Sequence, residues 1–332
     1  MNTTQPYQQY ALCREMLETP DLIARFTGED LEAIAPASDM ILLSGEGSSR
    51  IFPAKRAISR GLMQGSPLQV ITEGATQARE YDLTGYHVYV ASNSGKTAEA
   101  VHLIRHLQHV GTTAGITGIA ANPGTPVVTE SETHHVLTCG AEEAVAATKS
   151  VVEQALVYET VLRQASGADP LDMGTLAEQV RQVLTAPLDS EIIAALARSP
   201  RIFFAGRNDG AAEELALKTN EITRQASAFL EGTFAVHGIE EVMTPEDVVV
   251  LVEPFADQIA TFDKVLRQGV GLTVVAISVN ETPFPTISIP ASDDGAPYVH
   301  LAAGWNLLVE TGLARGIDVD RPVRARKIGN QI

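Results

Sequence analysis

Short runs of β-branched and other apolar residues alternate along the chain with longer stretches whose apolar residues recur at helical spacing. This alternation predicts βαβ units built around parallel sheets. In the first half, the predicted strands are Met40–Leu43, His87–Ala91, Ala114–Ile119 and His135–Thr138. The predicted helices of this half are Arg50–Met63, Thr97–Val110 and Thr148–Ala165.

The same order of elements begins again after Ser166–Pro170, a small and polar segment that predicts a linker. The predicted strands of the second half are Arg201–Ala205, Asp247–Glu253, Leu272–Val279 and a weaker Thr286–Ile289. One long helix is predicted from the GRNDG loop through Phe229, and a last helix over Pro297–Arg315, capped by Gly316. Successive strands are spaced almost equally in the two halves, which indicates two domains of one topology.

These elements predict an α/β protein in four parts. They are an N-terminal helical segment (1–34), a first domain (35–166), a second domain (171–317) and a C-terminal tail (318–332). Each domain is expected to be a parallel sheet flanked by helices, as in flavodoxin-like proteins. The length of 332 residues also favours two domains.

The composition narrows the classes of partner. A formal net charge of −17 argues against nucleic acid or an anionic membrane surface. Cys13 and Cys139 are too few and too far apart for a disulfide scaffold or a zinc ribbon. The first ten residues lack the regions of a signal peptide, and no apolar run is long enough to span a bilayer. The sequence therefore predicts a soluble cytoplasmic protein, and it predicts no metal and no organic cofactor.

Two hydroxyl-rich turns follow neighbouring predicted strands, each directly before a helix. The first turn is Ser44–Ser49 and the second is Ser92–Thr97. Glycines permit tight turns, and hydroxyls together with the N–H groups of a helix start attract an anion. A helix cap would explain Ser94 alone, but not four hydrogen-bonding side chains on one turn. One phosphate site is predicted, in the first domain, because the equivalent loops of the second half carry acids that would repel phosphate.

These turns, GEGSS and SNSGKT, and the segment EAVAATKS (143–150) resemble the sugar isomerase (SIS) domain family. The resemblance is to the isomerase half of glucosamine-6-phosphate synthase and to SIS-type glucosamine-6-phosphate deaminases, over two tandem domains from about residue 35 onward. It implies a phosphate-binding set of Ser48, Ser49, Ser92, Asn93, Ser94, Thr97 and the backbone around Val145. Two positions depart from the synthase pattern: Ala147 replaces a sugar-contacting serine, and Glu46 replaces the usual cysteine.

Three segments of the second half resemble the catalytic motifs of the same family. LKTNEI resembles the helix motif of the catalytic glutamate, which implies that role for Glu221. VHG, sixteen residues later, resembles the motif of the ring-opening histidine and implies His237. DRPVRARK in the tail resembles the segment of the Schiff-base lysine and implies Lys327. Each residue alone would more often be a surface residue, but their joint spacing favours a site.

The required chemistry agrees with these residue types. A carboxylate can carry a proton between C1 and C2 of a sugar, and a histidine suits ring opening near neutral pH. A lysine can form a Schiff base with an open ketose or stabilise its enolate. Glu231 is the next candidate for the base, because the glutamate that the synthases carry shortly before the histidine is absent here.

The sequence therefore predicts a phosphosugar isomerase, an amino-sugar-phosphate deaminase or a deglycase, acting on a hexose or amino-hexose 6-phosphate. Glutamine hydrolysis is not expected, since no glutamine-hydrolysing domain precedes the SIS pair. The alternative from another class is a sugar-phosphate-binding regulator without turnover. A further alternative is a lyase acting on an N-acetylmuramic acid phosphate ether, against which the tandem architecture argues. By resemblance, a homodimer is expected.

Overall fold

The computed structural model describes residues 1–324, 326, 330 and 332, which fall into two compact units. One unit, here called the N-sheet unit, comprises Leu22–Glu142, Ala147–Met173 and the described tail residues from Arg326 onward. The other, here called the C-sheet unit, comprises Met1–Asp21, Glu143–Ala146 and the chain from Gly174 to the tail. The domain boundaries given above stay predictions.

Each unit contains one five-stranded parallel sheet. The strands of the N-sheet unit are β1 (Met40–Gly45), β2 (Gln69–Gly74), β3 (His87–Ala91), β4 (Gly115–Ala120) and β5 (Thr133–Val136). The strands of the C-sheet unit are β6 (Arg201–Gly206), β7 (Ala226–Glu231), β8 (Val248–Val252), β9 (Thr273–Ser278) and β10 (Thr286–Ser288). The spatial orders are β2-β1-β3-β4-β5 and β7-β6-β8-β9-β10. Both sheets have the flavodoxin-like order 2-1-3-4-5, so the two units share one topology, as the repeated pattern predicted.

Helices connect and flank the strands. They are α1 (Ala11–Arg25), α2 (Ile51–Gln64), α3 (Ala75–Ala78), α4 (Ala98–Val110), α5 (Pro126–Thr129), α6 (Lys149–Ser166), α7 (Met173–Thr185), α8 (Ser190–Arg198), α9 (Ala211–Ile222), α10 (Ile259–Phe262) and α11 (Ala296–Ala314). A π-helical stretch, Asp263–Val270, continues α10. No helix among the described residues is long and apolar enough to cross a membrane.

The core of the N-sheet unit lies between its central strands and α4. All residues of β3 and β4 are buried, as expected for strands covered on both faces. They pack with the inner face of α4, which includes Val101 and Ile104. Gly118 of β4 is required by close packing, because a Cβ there would lie 2.0 Å from the carbonyl oxygen of Val127.

In the C-sheet unit, β8 is a run of five buried aliphatic residues. Helix α11 is apolar on nearly its whole circumference and is buried almost throughout, as such helices are. A glycine of α11 allows α9 to approach closely, since a Cβ at Gly304 would lie 2.3 Å from the side chain of Leu215. This packing fixes one face of α9, the helix that carries Glu221.

The eight predicted strands are confirmed, with ends shifted by up to two residues, but the edge strands β2 and β7 were not predicted. The helix predicted through Phe229 is wrong, because α9 ends at Ile222. Arg224 adopts a left-handed backbone conformation (φ +60°), which an α-helix cannot continue through. The residues after it form β7 and pair with β6 along the sheet edge.

Candidate functional site

The turn between β3 and α4, residues 92–97, brings three hydroxyl groups together; it is called the phosphate turn below. Ser92 Oγ lies 2.8 Å from Thr97 Oγ1 and 3.3 Å from Ser94 Oγ. The tight path depends on Gly95, whose φ is +68° and whose Cβ, if present, would lie 1.9 Å from Thr125 Oγ1. Hydroxyl groups rotate freely, so these can turn their hydrogens toward an anion.

The turn between β1 and α2 packs against the end of β3. A Cβ at Gly45 would lie 2.9 Å from the carbonyl oxygen of Ser49 and 3.0 Å from that of Ala91. The buried amide of Gln154 on α6 donates to the same Ser49 carbonyl at 2.6 Å. Ser48 and Ser49 are half-buried in this turn. The structure therefore sets both hydroxyl-rich turns at the carboxyl ends of the adjacent strands β1 and β3.

The strand order of the sheet reverses between β1 and β3, and ligands of doubly wound sheets bind at such reversal points. The first turn of α4 also begins here, and the side chain of Thr97 is directed to Ser92 rather than to capping that helix. Two described tail residues contact this start: Ala98 N–H donates to the carbonyl of Asn330 at 3.3 Å, and Ile332 N–H donates to that of Lys96 at 3.0 Å. Lys327 lies outside the described residues.

A carboxylate that the sequence reasoning missed lies behind the phosphate turn. Glu142 accepts hydrogen bonds from the backbone and side chains of Thr148 and Ser150, and from the amide of Asn93 at 3.0 Å. The resemblance pointed to the neighbouring segment EAVAATKS but assigned no role to Glu142. Its position directly before a segment rich in hydroxyls and N–H groups was the available signal.

In the C-sheet unit, α9 carries a buried charge cluster around Lys218. Lys218 Nζ lies 2.8 Å from Glu221 Oε2 and 3.3 Å from Glu214 Oε1. The side chains of Lys218 and Glu214 are fully buried, whereas that of Glu221 is 24% exposed. The three residues are four and three positions apart, a spacing that places them on one face of a helix. That spacing, on an otherwise apolar helix face, is the sequence signal that was missed for Lys218 and Glu214.

The cluster holds Lys218 in its charged form. Burial on its own lowers the pKa of the ammonium, but the carboxylates of Glu221 and Glu214 outweigh this effect, and the net pKa lies above its ordinary value. Glu221 therefore has a permanent positive charge beside one carboxylate oxygen. The other side of this carboxylate is partly open to solvent, as a group that exchanges protons with a substrate requires.

His237 and Glu231 follow β7, the edge strand that pairs with β6. Glu231 ends the strand, and His237 comes after the short helical turn Phe234–Val236. The imidazole of His237 is exposed, and its Nε2 lies 3.1 Å from Thr233 Oγ1. The structure therefore puts Glu221 and His237 in the same unit, on the helix before β7 and in the loop after it.

Among the predicted phosphate-binding residues, Val145 alone belongs to the C-sheet unit, where it lies in the segment Glu143–Ala146. The carboxylate of Glu15 on α1, which is buried, holds this segment by accepting the N–H groups of Glu143 and Ala144. The other predicted phosphate-binding residues, Ser48, Ser49 and 92–97, lie in the N-sheet unit. The predicted site residues are thus divided between the two units.

Comparison with solved structures supports the fold over almost the whole chain. The C-terminal domain of glucosamine-fructose-6-phosphate aminotransferase from Francisella tularensis matches with a TM-score of 0.75 and 20% identity, covering 96% of this chain and all of that one. Tagatose-6-phosphate ketose/aldose isomerase from Escherichia coli matches with a TM-score of 0.79 and 18% identity, covering 98% of this chain and all of that one. The chain has the fold of tandem SIS domains.

Two further comparisons agree with this fold. Glucosamine-6-phosphate deaminase from Thermotoga maritima matches with a TM-score of 0.76 and 17% identity, over 96% of this chain and 99% of that one. The glutamine–fructose-6-phosphate aminotransferase (isomerizing) of Shewanella oneidensis is 27% identical over 262 residues. That alignment covers 70% of this chain but only 41% of the relative, so this chain spans less than half the relative's length. No family model matches the chain.

Proposed function

We propose that this SIS protein is an enzyme acting on a hexose or amino-hexose 6-phosphate, either as an aldose–ketose isomerase or as an amino-sugar-phosphate deaminase. The observation that carries the proposal is the fully buried Lys218 ammonium, 2.8 Å from the partly exposed carboxylate of Glu221. A lysine buried between carboxylates is costly to desolvate, and a surface glutamate gains little from an ion pair. A carboxylate that must keep its charge and position beside a sugar does gain from such support.

In this proposal the N-sheet unit binds the phosphate group. The hydroxyls of Ser94 and Thr97 lie 3.3 Å and 2.8 Å from that of Ser92 at a helix start, where charge-assisted hydrogen bonds to phosphate oxygens are favourable. Ser48 and Ser49 line the adjacent turn, and the family resemblance also implies a role for the backbone around Val145. Holding the phosphate group restricts the motion of the substrate during the reaction.

The chemical step assigned to Glu221 is a proton transfer. In an isomerisation, its carboxylate takes the proton from C2 of the open-chain aldose and returns it to C1, so that the enediol becomes a ketose. In a deamination, the same transfer converts an amino aldose into a ketose imine, which water hydrolyses to release ammonia. His237 is assigned the ring opening, in which it protonates the ring oxygen. Lys327, outside the described residues, is assigned a Schiff base or an electrostatic role.

The comparisons support this class of reaction without choosing within it. The neighbours named as a deaminase and as a ketose/aldose isomerase share the fold at less than 20% identity, and the aminotransferase relative shares 27%. A homodimer is a further proposal drawn from the resemblance, and the cytoplasmic location expected from the sequence stays a prediction.

A turnover screen tests the proposal. Hexose 6-phosphates and amino-hexose 6-phosphates are incubated with the protein while ketose and ammonia are followed together. Ketose without ammonia identifies an isomerase, and both together identify a deaminase. The Glu221→Gln variant should be inactive on the substrate found, with Glu231→Gln as the matched control. Binding of sugar phosphates without turnover of any of them would favour the non-catalytic regulator instead.

A further inference from the structure

The amide of Asn93 in the phosphate turn has its two ends in different environments. Its Nδ2 donates to Glu142 Oε2 at 3.0 Å. Its Oδ1 is buried, and no residue in the described part of the chain donates a hydrogen bond to it. Buried amide oxygens are nearly always paired, because an unpaired one costs about 1–3 kcal/mol. An orphaned oxygen in a turn that is built to bind a ligand therefore points to a donor on that ligand.

The orientation of this amide is determined by Glu142. The carboxylate accepts from Thr148 N at 2.8 Å and Oγ1 at 3.1 Å, and from Ser150 N at 3.2 Å and Oγ at 2.6 Å. A carboxylate surrounded by donors is ionised and can only accept. If the Asn93 amide were reversed, its oxygen would face this carboxylate and both groups would be acceptors. The NH₂ group must face Glu142, which leaves Oδ1 as the free end.

An acceptor at this position cannot bind a phosphate oxygen. A phosphate dianion carries no hydrogen to donate, and its oxygens would repel the partial negative charge of Oδ1. A hydroxyl group on the carbon chain next to the phosphate does carry such a hydrogen. The chemistry of Asn93 therefore differs from that of Ser92, Ser94 and Thr97, whose hydroxyls can donate.

We propose that Asn93 is a specificity residue, whose Oδ1 accepts a hydrogen bond from a hydroxyl group on the carbon chain of the sugar phosphate. Glu142 acts as a positioning residue that keeps the amide in this orientation. The inference rests on the proposed function, because it assumes a sugar phosphate in the phosphate turn. It departs from the phosphate-binding role that the family resemblance implies for Asn93.

The first test uses ligands that cannot react. Calorimetry measures the binding of glucitol 6-phosphate, an open-chain sugar phosphate, and of ethyl phosphate, which lacks hydroxyl groups. In Asn93→Leu, we expect about a tenfold weaker binding of glucitol 6-phosphate, the size of one net hydrogen bond, and ethyl phosphate binding within twofold of the unaltered protein. In the control, Ser94→Ala, both ligands should bind more weakly. Equal losses for both ligands in Asn93→Leu, or no loss for either, would overturn the proposal.

The second test needs no change in the turn, and so it remains valid even if Asn93→Leu does not fold. The 3-, 4- and 5-deoxy analogues of glucitol 6-phosphate are titrated into the unaltered protein. One of the three should bind about tenfold more weakly than the other two, the size of one net hydrogen bond. Equal affinity for all three analogues would show that no hydroxyl pairs with Oδ1.

The two proposals can fail separately. If affinity depends on one hydroxyl but no sugar phosphate is turned over, the inference about Asn93 stands and the proposed enzymatic function fails. If a sugar phosphate is turned over but affinity depends on none of the three hydroxyls, the proposed function stands and the inference fails. If glucitol 6-phosphate does not bind at all, the inference fails with the phosphate site itself.

Discussion

Each sheet has one point at which its strand order reverses, between β1 and β3 in the N-sheet unit and between β6 and β8 in the C-sheet unit. The first point is lined by the hydroxyls of the phosphate turn. At the second, the guanidinium of Arg207 lies over the ring of Phe255, 4.3 Å from its centroid, and donates to the carbonyl of Glu253. The same topology thus presents neutral hydroxyl groups at one point and a guanidinium that contacts a ring and a carbonyl at the other.

The acids of the second reversal point are also engaged within the protein. Asp209 Oδ1 accepts the N–H of Ala211, at the start of α9, at 3.0 Å. Glu253 accepts Val279 N–H at 3.0 Å and lies 3.7 Å from His300 Nε2. In the N-sheet unit, by contrast, Thr97 is directed to Ser92 and not to a helix cap. The fold provides two equivalent positions, and the residues at the strand ends decide which of them can receive an anion.

A second contrast concerns what each unit contributes. The N-sheet unit provides neutral hydroxyls that suit binding, and the C-sheet unit provides the charged cluster on α9 that suits proton transfer. If this division is right, changes in the two units should affect different kinetic quantities.

The largest effect is expected from Glu221→Gln. Loss of a general base lowers kcat by about 10²–10⁴-fold and leaves ground-state binding nearly unchanged. Single-turnover kinetics and calorimetry with glucitol 6-phosphate measure the two quantities. Glu231→Gln, at the exposed end of β7, is the control and should retain most of the rate. Normal turnover in Glu221→Gln would contradict the assignment of the general base to Glu221.

The next largest effect is expected from removing the ammonium of Lys218. Lys218→Met removes the ammonium that faces the buried carboxylate of Glu214, and breaking a buried pair in this way costs about 3–5 kcal/mol of the free energy of unfolding. Since the same ammonium also holds the carboxylate of Glu221 at 2.8 Å, kcat should fall as well. Urea unfolding and steady-state kinetics measure these changes. Restoration of both quantities in Lys218→Arg would confirm a role through charge, whereas unchanged stability in Lys218→Met would contradict the buried cluster.

Much of the fold could be predicted from local pattern. Central strands such as β8 are continuous aliphatic runs, because parallel strands are covered on both faces. Edge strands lack this signal: in β2 and β7 exposed or half-buried residues predominate, and their sequences do not stand out from loops. The end of α9 was also hidden, because nothing local predicts the left-handed conformation of Arg224.

Residues of the candidate site could be predicted together only where they lie in one short segment of the sequence. The phosphate turn has its hydroxyls within six residues, so their convergence could be expected. The position of Glu142 directly before segment 143–150 was a signal, but its contact with Asn93 was not, since only the folded chain brings the two together. The helical spacing of Lys218 and its carboxylates was also a signal, but the burial of Lys218 depends on packing against the rest of the C-sheet unit.

The comparison of the two reversal points predicts a smaller and selective effect on affinity. Ser94→Ala and Thr97→Val should each weaken binding of ethyl phosphate about 10- to 100-fold, since each removes a charge-assisted hydrogen bond worth about 1.5–3 kcal/mol. Arg207→Ala, at the equivalent position of the other sheet, is the matched control and should leave this affinity within twofold. Loss of phosphate binding in Arg207→Ala would show that the second reversal point binds phosphate as well.

The smallest expected effect is a difference between the two units in how their stability depends on pH. His87, at the start of β3, is buried; its Nδ1 accepts Ala37 N–H and its Nε2 lies 2.8 Å from Thr117 Oγ1. Burial lowers the pKa of His87 to about 4, and that of His135 on β5 also lies below its ordinary value for the same reason. The folded N-sheet unit therefore binds fewer protons than the unfolded chain, so its stability is present above about pH 6.5 and falls as the pH drops toward 4.

The equivalent position in the C-sheet unit should not respond over this range. At the start of its equivalent strand lies Asp247; burial opposes its ionisation, but Arg201 at 2.9 Å outweighs this, and the pKa of Asp247 lies below its ordinary value. Its contribution is lost only below about pH 4. Between pH 7 and 5, amide exchange of β3 and β4, corrected for its intrinsic pH dependence, should reveal a loss on the order of 1–3 kcal/mol. The fluorescence of Trp305 on α11, the single tryptophan, reports the C-sheet unit. In His87→Gln, the stability of the N-sheet unit should change less between pH 7 and 5. An unchanged pH dependence of that stability would contradict its assignment to His87.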